Sequence, residues 1–330
     1  TCVAVPEAIK AAGATPIYVD IEPARFNIDA SDLKRKFTSR TRAVVVQHTY
    51  GIPADIDRII FVANDAGVPI IEDCCHTVAS TYKGKPVGRF GVGSFYSFEW
   101  GKPLVVGIGG TAIVNEPSLR NELYEQYKGF LDPRKGSQLK LHLQYLAHRL
   151  LYRPWLYWPV RSLYHALGAL GAAESNYHPI SGGQTAKDFS LKMGKFLQRR
   201  LDKKLAKVDA LTKRSREISA AYNSQINSVL VQHPVCPAGS DTVFARYPLI
   251  AKDKPALLAK ACESGIELAD WYATPIHPLG LKDLHLVHYE PGSCPEAEMR
   301  CDQVVTLPVH SGVSRRDTER AIRFLNSVSL

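Results

Sequence analysis

A single lysine, Lys102, stands in "SFYSFEWGKPLVVGIGG" between an aromatic run and a glycine cluster. Both flanks read as interior, and a buried ammonium group is costly unless its charge is used or removed. Desolvation lowers a lysine pKa and makes a neutral amine available as a nucleophile. Schiff-base formation with pyridoxal 5′-phosphate is one chemistry that needs such an amine. That chemistry also needs an acid for the pyridine nitrogen, a phosphate holder and groups near the ring oxygen. Asp73 closes the apolar run "VPIIED", and His76 follows it. Ser97 precedes Lys102 on the same run and has the hydroxyl to hold a phosphate oxygen. Gly107, Gly109 and Gly110 are expected to let the backbone pass a bulky group.

Each residue has a bland alternative. Lys102 can be a snorkelling side chain with its stem on aromatics. Asp73 can be a helix N-cap, His76 a satisfied core histidine, and Ser97 an ordinary strand serine. Their convergence favours the chemical reading. "GIGGTA" at 107–112 fits a dinucleotide fingerprint only in letters, because "TAIVNE" after it is strand-like where a helix is required. Cys74, Cys75 and His76 are adjacent, so neighbours face opposite ways and a shared metal ion is not expected.

The elements that must position these groups alternate. Strand-like "ATPIYVD", "RAVVVQH", "VPIIED", "GSFYSF" and "GTAIVNE" are separated by helix-like "DASDLKRKF", with Asp29 or Ser31 as cap, and "PADIDRIIFVANDAG". Continuous apolar strands between helices predict an α/β fold with a mostly parallel sheet covered on both faces. Functional groups in such sheets gather past the strand C-termini, where Asp20, His48, Asp73 and the stretch after Phe98 all lie. From about residue 216 a smaller α+β unit is expected. Domains are therefore placed at 1–215 and 216–330, with a helical, aromatic insertion at about 136–185.

The 330 residues are 45% hydrophobic, enough for a large core, and their formal net charge is +9. Much of the excess falls in 192–216, read as one solvated helix whose Phe196, Leu197, Leu201, Leu205 and Val208 recur at helical spacing. No motif for nucleic-acid binding is present. The seven cysteines include no C-x-x-C pair, so reduced thiols and a cytoplasmic location are expected. The opening "TCVAVPEAIKAAGATPIYVD" reads as folded interior, so a further N-terminal part is expected. Residues 139–167 are too short and too charged an apolar run to span a bilayer. Leu139, Leu143, Leu146 and Leu150 fall at helical spacing there, followed by Trp155, Tyr157 and Trp158. They fit either a packing or dimer-interface helix pair, or a peripheral membrane contact.

The ordered set "EDCCH", "SFEWGKPLVVGIGG" and "HTYGIPADID" resembles the DegT/DnrJ/EryC1/StrS family of sugar aminotransferases, as do "GATPIYVDIEPARFNID" and "CPEAE…VVTLPVH". The resemblance implies a fold-type-I pyridoxal-phosphate enzyme, a homodimer, and amination of a keto group on a nucleotide-linked sugar with glutamate as donor. It implies that Lys102 binds the cofactor and moves the substrate proton, that Asp73 pairs with the pyridinium nitrogen, that His76 lies near the ring hydroxyl where the family commonly has Gln, and that Ser97 holds phosphate. His48 and Tyr50 match the family's H-x-[YF]-G turn, and Tyr272 and His277 match its substrate-side segment. The family's N-terminal Gly-Thr phosphate loop has no counterpart here, and "KDFSLKM" at 187–193 replaces the common Asn-Tyr-Arg loop. Two alternatives remain within view. The family's sugar dehydratases replace the lysine by His, which Lys102 argues against, and a non-catalytic regulator or scaffold would need no bound cofactor.

Overall fold

The valine-rich runs form the centre of the fold. A computed structural model describes residues 1–23, 25–169 and 190–329. Helices α1 (Ala4–Ala11) and α2 (Ala30–Lys36) precede β1 (Val44–Gln47), α3 (Ile56–Asp65) and β2 (Ile70–Asp73). Short strands β3 (Thr81–Tyr82) and β4 (Lys85–Pro86) lead to β5 (Gly93–Ser97) and β6 (Gly110–Val114). Helices follow: α4 (Arg120–Lys128), α5 (Lys135–Leu151), α6 (Tyr157–Ala169), α7 (Lys195–Leu205) and α8 (Val208–Gln225). The chain ends with β7 (Val231–Gln232), β8 (Ser240–Asp241), β9 (Arg246–Ala251), α9 (Lys254–Glu263), α10 (Pro295–Cys301), β10 (Val304–Pro308) and α11 (Arg315–Ser327).

The main sheet runs β1-β2-β5-β6. Its first three strands are parallel and β6 is antiparallel, with Gln47 beside Asp73 and Asp73 beside Phe95. One core lies between this sheet and α2 and α3, built from Val44, Val46, Ile56, Ile59, Leu33 and Ile70. A second core joins Ile218 and Tyr222 of α8 to Leu249, Leu257, Val305 and Ile322, around the antiparallel sheet β10-β9-β7. The expected α/β architecture with a second α+β unit is therefore present. The proposed division between 215 and 216 falls inside the continuous helix α8, whose later residues belong to the second core.

Local expectations differ from the structure at three places. "ATPIYVD" forms no strand. It is an extended segment held from the side, with Lys36 Nζ donating to the Tyr18 carbonyl at 2.6 Å and the Tyr18 hydroxyl to the Val287 carbonyl at 2.7 Å. Asp20 is a structural cap, not a site residue: its carboxylate accepts from the N–H groups of Glu296 and Ala297 at 2.9 and 2.8 Å, at the start of α10. The basic stretch 192–216 is two helices, α7 and the first half of α8, broken at Ala206–Lys207. Leu197 and Leu201 are its buried stripe, whereas Phe196 and Leu205 are exposed.

Candidate active site

Strand alternation at the end of β2 sends Glu72 and Asp73 to opposite faces. Both are almost fully buried. The chain then turns: Cys74 N–H donates to the Phe95 carbonyl at 2.9 Å, and Thr77 N–H to the Cys74 carbonyl at 3.0 Å. This turn aims the Cys75 N–H at Asp73 Oδ1, 2.9 Å away. Asp73 forms no salt bridge among the described residues and acts on the Lys102 ammonium only at longer range.

The same turn buries His76. Its Nδ1 accepts from the Tyr50 N–H at 3.2 Å, so Nε2 carries the proton and donates to the Tyr272 hydroxyl at 3.0 Å. Burial, with Lys102 nearby, holds the imidazole pKa well below its usual value, so His76 is neutral. Gln47, at the end of β1, also donates to the Tyr272 oxygen at 3.3 Å. That oxygen thus accepts twice and keeps its own proton to give. Burial raises the Tyr272 pKa well above the usual phenol value, so the proton stays.

Lys102 lies on the loop joining β5 to β6. Gly101, at φ 79°, lets that loop turn. The Lys102 side chain is only 7% exposed, with Nζ 3.6 Å from Glu99 Oε1 and 5.8 Å from the centre of the Trp271 ring. The Trp271 ring is also 4.7 Å from that of His76, so one indole adjoins both residues. The expected pKa depression is not found. Burial pulls the Lys102 pKa down, but Glu99, Cys75, Cys2 and Asp73 outweigh it and the net shift is upward. Burial raises the Glu99 carboxyl in turn. The amine is therefore held as an ammonium beside the Glu99 carboxylate.

The other predicted residues separate. Ser97 is half-buried on β5, its backbone opposite Gly110 of β6. His277 is partly buried, its ring 5.5 Å from that of Tyr272, and burial lowers its pKa to about 4. Tyr50 is a brace: its hydroxyl donates to the Trp271 carbonyl at 2.8 Å and accepts from the Tyr272 N–H at 3.0 Å. His48 faces away from Lys102, with Nδ1 accepting from the Ala54 N–H at 3.1 Å and Nε2 donating to Glu72 at 3.2 Å. A direct substrate role for His48 does not fit, since both ring nitrogens are engaged in the interior. His48, Glu72 and Cys74 do bring ligand-type atoms within 4.8 Å. Glu72, however, already accepts from the Gly88, Phe90 and Gly91 N–H groups at 2.6, 2.7 and 2.8 Å. These contacts describe a structural lock, not a metal cradle.

Two of the three glycines sit against protein neighbours, whereas a Cβ on Gly107 would meet only ordinary contacts at 3.8 Å or more. A Cβ on Gly109 would meet Met193 Cε at 2.7 Å, and one on Gly110 would meet the Tyr96 carbonyl oxygen at 2.5 Å. Within the 187–193 stretch, Leu191 bridges to Leu131 and Lys192 donates to the Lys128 carbonyl at 3.2 Å. Residues 187–189 and 170–185 of the expected insertion lie outside the described residues. Sequence reasoning missed Gln47, Glu99 and Trp271. Each is a direct neighbour of a predicted residue or three positions from it, and that adjacency was the available signal.

The model of the DegT/DnrJ/EryC1/StrS aminotransferase family matches residues 1–143 and 165–326. The chain belongs to this family. It is 29% identical over 273 residues to the GDP-perosamine synthase of Escherichia coli O157:H7, covering 83% of this chain and 60% of that protein. It is 27% identical over 306 residues to the pleiotropic regulatory protein of Geobacillus stearothermophilus, covering 91% of this chain and 69% of the other. The chain thus spans about two thirds of the length of these relatives. A Streptococcus pneumoniae structure described as a sugar aminotransferase in its PMP form superposes with a TM-score of 0.74 at 20% identity, covering 99% of this chain and 79% of that one. The fold is that of the fold-type-I aminotransferases. Pyridoxal-phosphate dependence is a property of the family, and the donor set here fits it. A buried primary amine and a buried carboxylate without a salt bridge are what a pyridoxal aldehyde and its pyridinium nitrogen would complete.

Proposed function

We propose that this chain is a pyridoxal-phosphate-dependent aminotransferase that converts a nucleotide-linked keto sugar to an amino sugar, with glutamate as donor, for polysaccharide or glycolipid synthesis. The observation that carries the reading is a pair of unlike buried groups that act on each other without a salt bridge: the Lys102 amine, which shares the Trp271 indole with His76, and the Asp73 carboxylate. Lys102, Asp73, His76 and Ser97 would hold the cofactor. When bound, that group supplies an electron sink for breaking the C–H bond beside the substrate nitrogen. Lys102 would move the proton at that carbon. Glu99, 3.6 Å from the Lys102 amine, is placed to hold it as an ammonium in the absence of a ligand. Neutral His76 orients the Tyr272 hydroxyl, which would be left to donate to a ligand oxygen.

Family membership supports a homodimer and a cytoplasmic location; a cofactor domain at 1–215 and a smaller domain at 216–330 would meet inside helix α8. Among the described residues no helix is long and apolar enough to cross a membrane. A regulatory, non-catalytic use of the fold has the name of the Geobacillus relative on its side. The deciding experiment incubates the protein with pyridoxal phosphate, glutamate and a panel of nucleotide keto sugars. Amino-sugar product together with a visible cofactor band supports the transaminase; a protein with neither contradicts it.

A further inference from the structure

Helix α5 is built inside out. Its inward side is polar and aromatic around one buried leucine, Leu141. The Arg200 guanidinium lies 3.6 Å from the centre of the Tyr145 ring and donates to His142 at 3.0 Å, while the His148 ring packs 4.9 Å from Trp100. Its outward side carries the leucines. Leu139, Leu143, Leu146 and Leu150 are 61, 58, 42 and 72% exposed and form one stripe along the helix. Trp155, four residues past the helix end, is 60% exposed. A helix that contributed only to the core would turn these faces the other way.

Charge selects what covers the stripe. Between Asp132 and Glu174 the sequence contains no Asp or Glu. Arg134, Lys135, Arg149, Arg153 and Arg161 are all exposed, and none forms an ion pair among the described residues. A second copy docking this face on itself about a two-fold axis would oppose like charges without an acid to match them. A leucine stripe flanked by basic side chains and followed in the chain by an exposed indole suits an anionic headgroup layer instead.

We propose that the outward face of α5, with Trp155, binds the surface of an anionic lipid bilayer. The helix lies in the interface plane, with leucines among the upper acyl segments and basic groups on lipid phosphates. This inference is independent of the chemistry assigned to Lys102. The trans-bilayer alternative is not required, because α5 turns polar groups to the protein along its whole length.

The test is flotation of the full chain with phosphatidylcholine vesicles with and without phosphatidylglycerol, at low and high salt. Binding to the anionic vesicles is expected to be about a hundredfold stronger at low salt, and to weaken as salt rises. The double variant Leu143→Ser, Leu150→Ser and the double variant Arg149→Glu, Arg153→Glu should each weaken it about tenfold or more. Their thermal midpoints and light-scattering masses should match wild type. Brominated anionic lipid should quench the tryptophan fluorescence, and Trp155→Phe should remove most of that quenching while the folded signal of the other tryptophans remains. Wild type that fails to float with anionic vesicles at low salt overturns the proposal. So does equal binding to neutral lipid, quenching unchanged in Trp155→Phe, or a variant that only turns a dimer into a monomer.

Discussion

Glu72 and Asp73 are consecutive carboxylates on one strand, and the regions on the two faces of the sheet edge use them in opposite ways. Behind the edge, Glu72 collects three backbone N–H groups and the His48 ring, and so ties the loop at 88–91 to β1 and β2. In front, Asp73 has one backbone donor and acts on Lys102, whose Trp271 neighbour also packs on His76. Full satisfaction marks a carboxylate that holds the fold. A buried carboxylate without a salt bridge marks a place prepared for something that arrives later.

The contrast breaks most sharply with Asp73→Asn. This change keeps shape and removes charge. Turnover should fall by about three powers of ten if the carboxylate keeps a pyridinium protonated. The melting temperature should change little, since Asp73 forms no salt bridge among the described residues and the amide keeps its shape. A variant within twofold of wild-type turnover would make Asp73 another structural carboxylate.

Glu72→Gln should do the reverse. Three backbone donors face an amide that offers only one acceptor oxygen, and urea unfolding should show a loss of about 3 kcal/mol. Burial pushes the Glu72 carboxyl up, but the His48 and backbone hydrogen bonds outweigh it and the net shift is downward. The contribution is therefore complete above the unfolded-state pKa of about 4.3 and is lost as pH falls through the lower folded-state value. In Glu72→Gln that part of the acid-side slope should vanish. An unchanged slope would show that Glu72 is not the group titrating there.

How far each region could be read from sequence follows from the range of its contacts. β1, β2 and their parallel pairing were legible, because apolar runs bounded by turns are local signals. The burial of Lys102 and Asp73 was legible because their flanking residues are apolar. The direction of the Lys102 pKa was not, because Glu99 and the Trp271 segment meet it only in the folded chain. The extended "ATPIYVD" has strand composition but no strand beside it among the described residues, and composition does not say who the neighbour is. Helical spacing found the leucine stripe of α5 and could not tell which way it faced. That depended on the aromatic and basic groups of α7 and of the Lys102 loop.

A smaller effect sharpens the front region. Tyr272→Phe removes the oxygen that accepts from His76 and Gln47 and the proton it offers onward. Turnover should fall about tenfold, with the cofactor still bound. Loss of the cofactor band itself would instead make Tyr272 part of the holding set.

The most direct test asks which amine the cofactor finds. The protein is loaded with pyridoxal phosphate, reduced with borohydride, digested and sequenced by mass spectrometry. The account predicts one modified residue, Lys102, and no visible-band formation in Lys102→Ala. Modification at a different lysine, or an unreduced protein that never takes up the cofactor, would contradict it.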